Sequence, residues 1–354
     1  MITDPQPIPE PVEPQAEQAD PAALEPGAGS SSLRLLLGVL VSLVCLGFIF
    51  TQIDLNQFIT AWRLADYRWV FASMVVTVLW LLVRAAAWRA LLKNNAAYSH
   101  VFYAINQGYL LNNLLPFRLG EVGRAYLLGR KSGLGFWQVL PTIFIERLVD
   151  LVLAVGIFLG ALPFVVGANW AGQAVWITGG VMLAGLGMLF VLAHNRPRVQ
   201  ALAASLGKRI PLVARLASHS LPHFLEGLSV LVDLRRFLAS LGWLLLNWGI
   251  GILQFHLVML AFFPQAQPLW SIFTLGAAAL GLAAPSSPGG VGVYEFAIMT
   301  ALAQFVDAPA VTAAFAFTAH ILQILITGIL GAYALYRDGS SLASLYRQVR
   351  RLPR

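Results

Sequence analysis

Long apolar stretches separated by short polar segments run along most of the chain. Six of them have at least 20 residues, enough to cross the roughly 30 Å of membrane hydrocarbon at about 1.5 Å per helical residue. These stretches are residues 33–52, 69–92, 137–164, 171–194, 237–263 and 310–336. The pattern predicts an all-α polytopic membrane protein with six full spans.

Two further apolar segments are interrupted by a proline- and glycine-rich motif. The motif reads P-x-x-x-G-x-V-G at residues 116–123 and again at residues 285–292. Residues 101–116 lead into the first copy, and residues 269–284 and 291–305 flank the second. Lipid cannot satisfy the backbone groups that such a break frees, so the break must be buried in protein or line a water-filled cavity. A single copy is typical of a tight interhelical turn, whereas two copies favour a pair of re-entrant helical hairpins.

The two motif copies also predict an internal repeat. They begin at residues 116 and 285, an offset of 169 residues, and this offset carries the second span onto the fifth and the third onto the sixth. Residues 33–170 then form the first membrane repeat and residues 171–338 the second, and each reads span, span, hairpin, span. With the N-terminus inside, the first repeat ends outside after three crossings. The second repeat is therefore inverted, and the two hairpins enter from opposite faces.

Composition and charge agree with this arrangement and orient it. Hydrophobic residues make up 58% of the 354-residue chain and charged residues 11%, which excludes a soluble globular domain. Residues 1–32 are rich in proline and carry six acidic residues but no lysine or arginine, which predicts a disordered cytoplasmic tail. Basic residues gather around the first hairpin, in residues 195–236 and in the tail at residues 339–354. The positive-inside rule therefore places both termini in the cytoplasm.

The long basic segment at residues 195–236 has two interpretations. Phe224, Leu228 and Leu231 follow one another at helical spacing, which predicts an amphipathic helix on the inner membrane surface. A plain linker anchored by its charges fits equally well.

The two motif copies are candidate binding sites. A new helix is expected to begin near Gly120 and near Gly289, and helix N-termini attract anions through their unpaired N–H groups. Glycine lets a ligand approach the backbone closely, and Arg118 beside the first tip offers a fork that suits phosphate. Together with Arg124, these features suit an anionic lipid headgroup that moves through a polar groove while its tails stay in the bilayer.

Charged residues inside the third predicted span are a second candidate site. Glu146 lies near the membrane midplane by helical rise, next to Arg147, and Asp150 is on the same helix face. Mutual ion pairing, here and between Glu121 and Arg124, is one interpretation of these charges. Contact with the substrate is the other.

Three further polar residues lie in apolar segments. Arg84 in the second span either reaches the near interface or faces the bundle. Glu295 either caps the helix after the second motif or binds substrate. His320 is a candidate proton relay with Glu146 or Asp150, and a histidine hydrogen-bonded inside the bundle is the simpler interpretation.

Several classes of chemistry have no motif in the sequence. It contains no G-x-x-x-x-G-K-[ST], H-E-x-x-H or G-x-S-x-G motif, so we predict no ATP hydrolysis, no metal site and no catalytic residue, and we expect no cofactor. The single cysteine, Cys45, excludes an internal disulfide and a cysteine-based metal site. Movement of a substrate would then be downhill or coupled to an ion gradient.

Three sequence motifs carry a resemblance to a known family. They are N-N-L-L-P-F-R-L-G-E-V-G-R, I-E-R-L-V-D-L and P-S-S-P-G-G-V-G-V-Y-E, in this order. Over about residues 33–338, the chain resembles the flippase-like transmembrane region of lysylphosphatidylglycerol synthetases and related UPF0104-like membrane proteins. The resemblance implies movement of a lipid or lipid-linked group across a bacterial inner membrane. It also implies eight membrane-embedded elements, two of them re-entrant.

The resemblance also bears on the site and on the chemistry. Together with the motif positions, it gives the predicted substrate-binding residues Asn113, Arg118, Gly120, Glu121, Arg124, Glu146, Arg147, Asp150, Ser287, Gly289, Gly290, Gly292 and Glu295. The synthetases carry a soluble aminoacyl-transferase domain after the membrane region, whereas this chain continues for about twenty residues past its last span. We therefore expect no lipid aminoacylation and disfavour a lysyl-lipid substrate.

The sequence leaves three hypotheses for function. The leading one is a lipid flippase or transporter with a midplane cavity between the two hairpins. Its partners would be anionic or polyprenyl-linked membrane lipids and not nucleic acid. The second is an integral membrane enzyme that acts on a lipid headgroup, for which Glu121, Glu146, Asp150 and Glu295 are the candidate acids and bases. The third is a non-catalytic membrane partner of an enzyme of envelope-lipid biosynthesis, which the acidic tail would suit.

Overall fold

The computed structural model describes residues 28–115, 119–166, 171–208, 214, 218, 220–283 and 287–339. Within these ranges the chain is helical and forms no strand, which confirms the all-α prediction. Arg118, most of the predicted acidic tail and nearly all of the predicted basic tail lie outside the described residues.

The helices are numbered in chain order. They are α1 (Ala28–Gln52), α2 (Leu55–Leu64), α3 (Tyr67–Leu91), α4 (Tyr98–Leu114), α5 (Leu119–Ser132), α6 (Phe136–Val166), α7 (Ala171–His194), α8 (Arg196–Gly207), α9 (Leu221–Gly227), α10 (Leu234–Phe262), α11 (Pro268–Ala283), α12 (Val293–Leu302) and α13 (Pro309–Arg337). Short 3-10 turns at Leu228–Leu231 and Pro288–Gly290 follow α9 and α11.

The long apolar helices support a multi-pass membrane protein. Among the described residues, α3, α6, α10 and α13 are the four helices long and apolar enough to cross a membrane. A fifth span is present if the bent pair Leu36–Gln52 and Leu55–Leu64, whose axes differ by 87°, is one broken span. Residues 171–194 form the 24-residue helix α7, and the count of six spans stays a prediction.

Aspartates set the starts of three helices. The Asp54 carboxylate accepts two backbone N–H groups of the first turn of α2, at 2.7 and 3.2 Å. Asp66 and Asp233 each accept a backbone N–H at the start of α3 and α10. Such caps satisfy N–H groups that have no partner inside the helix. The Asp54 cap begins α2, a helix that the apolar pattern does not predict, and Trp62 Nε1 anchors α2 to α13 by donating to Thr318 Oγ1 at 2.8 Å.

Each interrupted segment forms a helical hairpin. α4 packs along α5, and α11 packs along α12. The first pair approaches closely because a glycine lies on each helix, and a Cβ on Gly120 would collide with the Gly108 carbonyl oxygen. In the second pair, a Cβ on Gly281 would lie 2.8 Å from the Ala297 Cβ. The hairpins therefore occur where the motif predicts them, and their re-entrant path through a membrane stays a prediction.

The hairpins pack on the long helices in a matched pattern. In the first hairpin, α4 packs on α13 and α5 packs on α6. In the second, α11 packs on α6 and α12 packs on α13. The helices α3 and α10 pack on each other, and α3 contacts α4 as α10 contacts α11. If α3 is exchanged with α10, α4 with α11, α5 with α12 and α6 with α13, every contact in this set becomes another contact of the same set.

Basic residues form ion pairs at one end of the bundle. Glu226 on α9 accepts a hydrogen bond from Arg196 Nη1 at 2.7 Å and lies 3.4 Å from Lys93 Nζ, beyond the end of α3. Lys131 in the last turn of α5 pairs with Asp338, which follows α13. Because α9 packs on the start of α6, directly after α5, both sets of ion pairs lie at the same end.

Candidate functional site

Six charged side chains from three helices form one group, called the charge cluster below. They are Arg84 on α3, Glu121 and Arg124 on α5, and Glu146, Arg147 and Asp150 on α6. Three positive and three negative formal charges cancel. The structure thus brings together the predicted residues of the first hairpin and of the third predicted span, and Arg84 faces the bundle.

Glu146 is at the centre of the charge cluster. Its side chain is fully buried, and its Oε1 accepts from Arg84 Nη2, from Arg147 Nη2 at 2.7 Å and from Arg124 Nη2 at 3.2 Å. Its other oxygen, Oε2, has no hydrogen-bond partner among the described residues. One carboxylate therefore joins α3, α5 and α6.

Asp150 links the charge cluster to α10. Its Oδ1 accepts from Arg84 Nη1 at 2.9 Å and from Trp248 Nε1 at 3.1 Å. Its Oδ2 pairs with Arg84 Nη2 and, at 3.3 Å, with Arg147 Nη2. Arg84 Nη1 also donates to Asn247 Oδ1 at 3.3 Å. The polar Asn247 in an apolar span is the sequence signal for this role of α10, but only the packing of the helices identifies its partner.

Arg124 does not pair with Glu121, although such a pair is one of the two interpretations of these charges. Its guanidinium carbon lies 4.6 Å from the centroid of the Trp88 ring, and its Nη2 donates to Glu146. Glu121 Oε1 lies instead 3.6 Å from Arg147 Nε. The reason is that Arg124 points into the bundle, whereas the Glu121 side chain lies nearer its surface and is 23% exposed.

A narrow crevice borders the charge cluster beside the first hairpin. Its lining residues are Ile105, Gly108, Tyr109, Asn112, Glu121, Arg124 and Arg147. Its volume is about 10 Å³, room for about one water molecule. The Nε atoms of Arg124 and Arg147 have no hydrogen-bond partner among the described residues. Two arginine N–H donors thus lack a hydrogen bond next to the crevice, although both arginines are ion-paired. The crevice is far too small for a lipid headgroup, and the midplane cavity stays a prediction.

Both hairpins already use N–H groups at the start of their second helix. Gly120 N donates to Asn112 Oδ1 at 2.8 Å, and Gly292 N donates to Glu295 Oε2 at 2.7 Å. Glu295 therefore caps the start of α12, which is one of the two roles considered for it. An anion that binds these N–H groups would have to displace the two side-chain oxygens.

His320 fastens the tip of the second hairpin to α13. Its Nε2 lies 2.9 Å from the Gly289 carbonyl oxygen, and its Nδ1 lies 2.6 Å from Glu295 Oε1. Gly289 has a φ of 71°, which glycine adopts without steric cost. The direct relay of His320 with Glu146 or Asp150 is not formed, because those carboxylates face α3, α5 and α10, whereas His320 faces α12.

The tip of the second hairpin also reaches the first hairpin. A Cβ on Gly289 would lie 3.7 Å from the carbonyl oxygen of Asn113, at the end of α4. Asn113 Nδ2 donates to Thr327 Oγ1 on α13 at 3.1 Å. On the other side of the tip, Ser287 N donates to Ser42 Oγ on α1 at 3.0 Å. Predicted site residues of both hairpins therefore adjoin each other next to α13.

Gly290 and Arg118 are the remaining predicted site residues. Gly290 is buried within the second tip and has a φ of 77°, whereas Arg118 lies outside the described residues. In the part of the chain that is described, no group of three or more His, Cys, Asp or Glu residues is placed to hold a metal ion.

Comparison with known proteins identifies the family. Glycosyltransferase AglD of Haloferax volcanii is 24% identical over 344 residues, which covers 85% of this chain and 54% of that protein. The UPF0104 membrane protein MJ1078 of Methanocaldococcus jannaschii is 26% identical over 191 residues, 53% of this chain and 77% of that protein. This chain thus spans about half the length of the glycosyltransferase, and no solved structure matches it. Residues 35–331 match the lysylphosphatidylglycerol synthase TM region, and the chain belongs to that family.

Proposed function

We propose that this protein moves an anionic lipid or lipid-linked group between the leaflets of a bacterial inner membrane. The observation that carries the proposal is the charge cluster, in which two arginine N–H donors lack a hydrogen bond next to a crevice inside a bundle of apolar helices. Charged side chains within a membrane are expensive and mark substrate or ion paths. Membership of the lysylphosphatidylglycerol synthase TM region family supports a role with lipids.

Two inverted halves would give this transporter alternating access. Adding the offset of 169 residues to α3 gives residues 236–260, and α10 covers Leu234–Phe262. The same addition carries α4 onto residues 267–283, and α11 covers Pro268–Ala283. The matched packing of the two hairpins on α6 and α13 supports the same exchange of halves. Transporters built in this way bind substrate where the repeats meet, near the midplane.

The ion pairs at one end of the bundle suggest its orientation. Lys93, Lys131 and Arg196 lie at that end, which the positive-inside rule assigns to the cytoplasm. The first hairpin would then enter from the cytoplasm and the second from outside. Since Asp338 pairs with Lys131, the C-terminal end of α13 would also be cytoplasmic.

A phosphate-bearing headgroup fits the chemistry of the crevice. A guanidinium group binds phosphate with two parallel N–H bonds, and Arg147, 29% exposed, is the arginine of the cluster that is partly accessible. Its contact with Glu121 is long at 3.6 Å, so a phosphate could replace Glu121 with little loss of ion pairing. Binding requires the helices to separate, because the crevice holds about one water molecule.

Transbilayer movement in proteoliposomes tests the proposal. The probes are a fluorescent phosphatidylglycerol and a labelled polyprenyl phosphate. Arg147→Gln removes the part-exposed guanidinium, and Arg130→Gln is the matched control at an exposed position of α5. We expect the wild type and the control to move one probe and Arg147→Gln to lose this movement while still eluting as a folded protein.

Folded wild-type protein that moves neither probe would contradict the transport function. Full activity of Arg147→Gln would leave transport standing and contradict the role of Arg147 in binding the headgroup. Arg147→Lys keeps the charge but loses the two-pronged donor, so reduced movement by this variant would show that the fork itself is needed.

The relative named as a glycosyltransferase favours a second candidate function. Because this chain aligns with about half of that protein, it would serve as the membrane partner of a separate enzyme of envelope-lipid biosynthesis. Copurification of a stoichiometric enzyme, with no lipid movement by the purified chain, would favour this candidate. Conversion of a lipid by the purified chain in detergent would instead make it an enzyme.

A further inference from the structure

Both ring nitrogens of His320 face oxygen atoms. Nε2 lies 2.9 Å from the Gly289 carbonyl oxygen, and Nδ1 lies 2.6 Å from Glu295 Oε1. A carbonyl oxygen only accepts hydrogen bonds, so Nε2 carries a proton. The contact between Nδ1 and Oε1 then needs a second proton, bound either to Nδ1 or to the carboxyl group. With both contacts made, His320 and Glu295 hold one proton more than a neutral imidazole and a carboxylate.

We propose that His320 and Glu295 form the binding site of one transferable proton, and that this proton drives lipid movement. The proposal rests on the proposed transport function and names its coupling ion. When the proton leaves to water, the pair changes from no net charge to one negative charge, and the imidazole keeps a single N–H. That N–H can donate to the Gly289 carbonyl oxygen or to the Glu295 carboxylate, but not to both. Loss of the proton therefore releases either the tip of the second hairpin or the carboxylate.

Releasing the tip of the second hairpin from His320 would affect the region where the two hairpins meet. Gly289 adjoins Asn113 at the end of α4, as a Cβ on it would lie 3.7 Å from the Asn113 carbonyl oxygen. The same tip is held to α1 by the bond from Ser287 N to Ser42 Oγ. A change in the protonation of His320 and Glu295 therefore occurs beside three helices, α1, α4 and α13.

The pair is buried among uncharged side chains and a tyrosine. His320 is 5% and Glu295 is 1% exposed, and α12 also presents Tyr294, whose ring centroid lies 4.5 Å from that of His320. Helices α1 and α2 reach α13 and this tip through the uncharged Ser42 and Trp62. Three titratable groups on other helices packed against α13 have partners elsewhere. Arg84 on α3 pairs with Glu146 and Asp150, His256 on α10 bonds to Ser271, and Tyr103 on α4 bonds to Arg337.

The first hairpin also has a paired glutamate in the first turn of its second helix, but its partner there has a fixed charge. Glu121, in the first turn of α5, pairs with Arg147, and Glu295, in the first turn of α12, pairs with His320. The partner follows the glutamate by 26 residues in the first case and by 25 in the second. Arginine keeps its charge in proteins, whereas histidine gains and loses it near neutral pH. This difference is expected if one half binds the anion and the other the proton.

Lipid distribution under a pH gradient tests the coupling. The probes are again a fluorescent phosphatidylglycerol and a labelled polyprenyl phosphate, with protein-free vesicles and a protonophore as controls. If one proton moves with each lipid, a gradient of about one pH unit shifts the leaflet distribution by up to about tenfold. We expect this shift for the wild type and for His256→Gln, a matched histidine variant on α10, and no shift for His320→Gln.

The outcomes separate the proton site from the transport function. Movement of a probe that ignores the gradient, or a gradient response of His320→Gln equal to that of the wild type, overturns the proton site and leaves transport standing. If wild-type protein moves neither probe under any gradient, the transport function fails instead.

A titration decides on the proton site without relying on transport. The wild type and the double variant His320→Gln/Glu295→Gln are titrated in unbuffered detergent solution from about pH 5 to about pH 9. We expect the wild type to release about one proton more per molecule, because both amides of the variant are uncharged throughout. Equal proton release by two folded proteins would overturn the proposal.

Discussion

Arg124 Nη2 lies 3.2 Å from Glu146 Oε1, and this contact joins the first hairpin to the long helix α6. The same oxygen accepts from Arg84 on α3, so one carboxylate fixes three helices relative to one another. A buried group of this kind adds little stability when compared with an apolar core, but removing one member leaves an unbalanced charge. Movement of a substrate through this region would have to exchange these ion pairs, not simply break them.

Glu146→Gln should destabilise the protein strongly. The variant leaves three positive and two negative charges in the cluster, and loss of one partner of a buried ion pair costs about 3–5 kcal/mol. Unfolding in detergent, followed by circular dichroism, measures the loss. The matched control is Glu226→Gln, whose 45% exposed carboxylate should contribute less than about 1 kcal/mol. Equal stabilities of the two variants would contradict the central role of Glu146.

The hairpins could be predicted from the sequence, whereas the partners inside the charge cluster could not. Prolines and glycines at a matched spacing interrupt apolar segments, and this signal is local in the sequence. As a result, α4 begins and ends within three residues of the predicted segment at residues 101–116. Asp150 pairs with Arg84, which lies 66 residues earlier in the chain. The sequence shows that such charges need partners but not which helix supplies them. The same holds for Trp88 on α3, whose ring lies against the Arg124 guanidinium on α5.

α2 shows a different limit of sequence patterns. Its ten residues are too few to give a span, and its start depends on the Asp54 cap, which a search for apolar stretches ignores. Its anchor, the bond from Trp62 to Thr318, joins residues 256 apart in the chain.

Gly120→Ala should destabilise the first hairpin. The new methyl group would collide with the Gly108 carbonyl oxygen and would lie 2.6 Å from Asn112 Oδ1, the acceptor of the Gly120 N–H. Backbone on the partner helix cannot move aside cheaply, so we expect α4 and α5 to separate and the melting temperature in detergent to fall. Gly156→Ala on α6 is the matched control, because nothing lies within 4 Å of its added Cβ. There, alanine should be neutral or stabilising by up to about 1 kcal/mol.

Stability should depend on pH through Glu226. Burial raises the pKa of its carboxyl group, but Lys93 and Arg196 outweigh burial and hold this pKa below its ordinary value. A pKa that is lower in the folded state adds stability above the unfolded-state pKa, and this stability is lost as the pH falls through the folded-state value. From about pH 6 to about pH 3, the wild type should lose more unfolding free energy than Glu226→Gln, by less than about 1 kcal/mol since the side chain is 45% exposed. Parallel stability profiles of the two proteins would rule out this contribution.

Labelling of single cysteines should reveal the path of each hairpin. Cys45→Ser gives a cysteine-free background, because the sequence contains one cysteine. Ser99→Cys and Arg130→Cys are exposed near the two ends of the first hairpin, and Gln267→Cys and Gln304→Cys are exposed at the two ends of the second. A re-entrant hairpin returns to its own side, so a membrane-impermeant maleimide should reach the first two only from the cytoplasm and the last two only from outside. Labelling from opposite sides within either pair would mean that this hairpin crosses the membrane, and the halves could not then be inverted copies of each other.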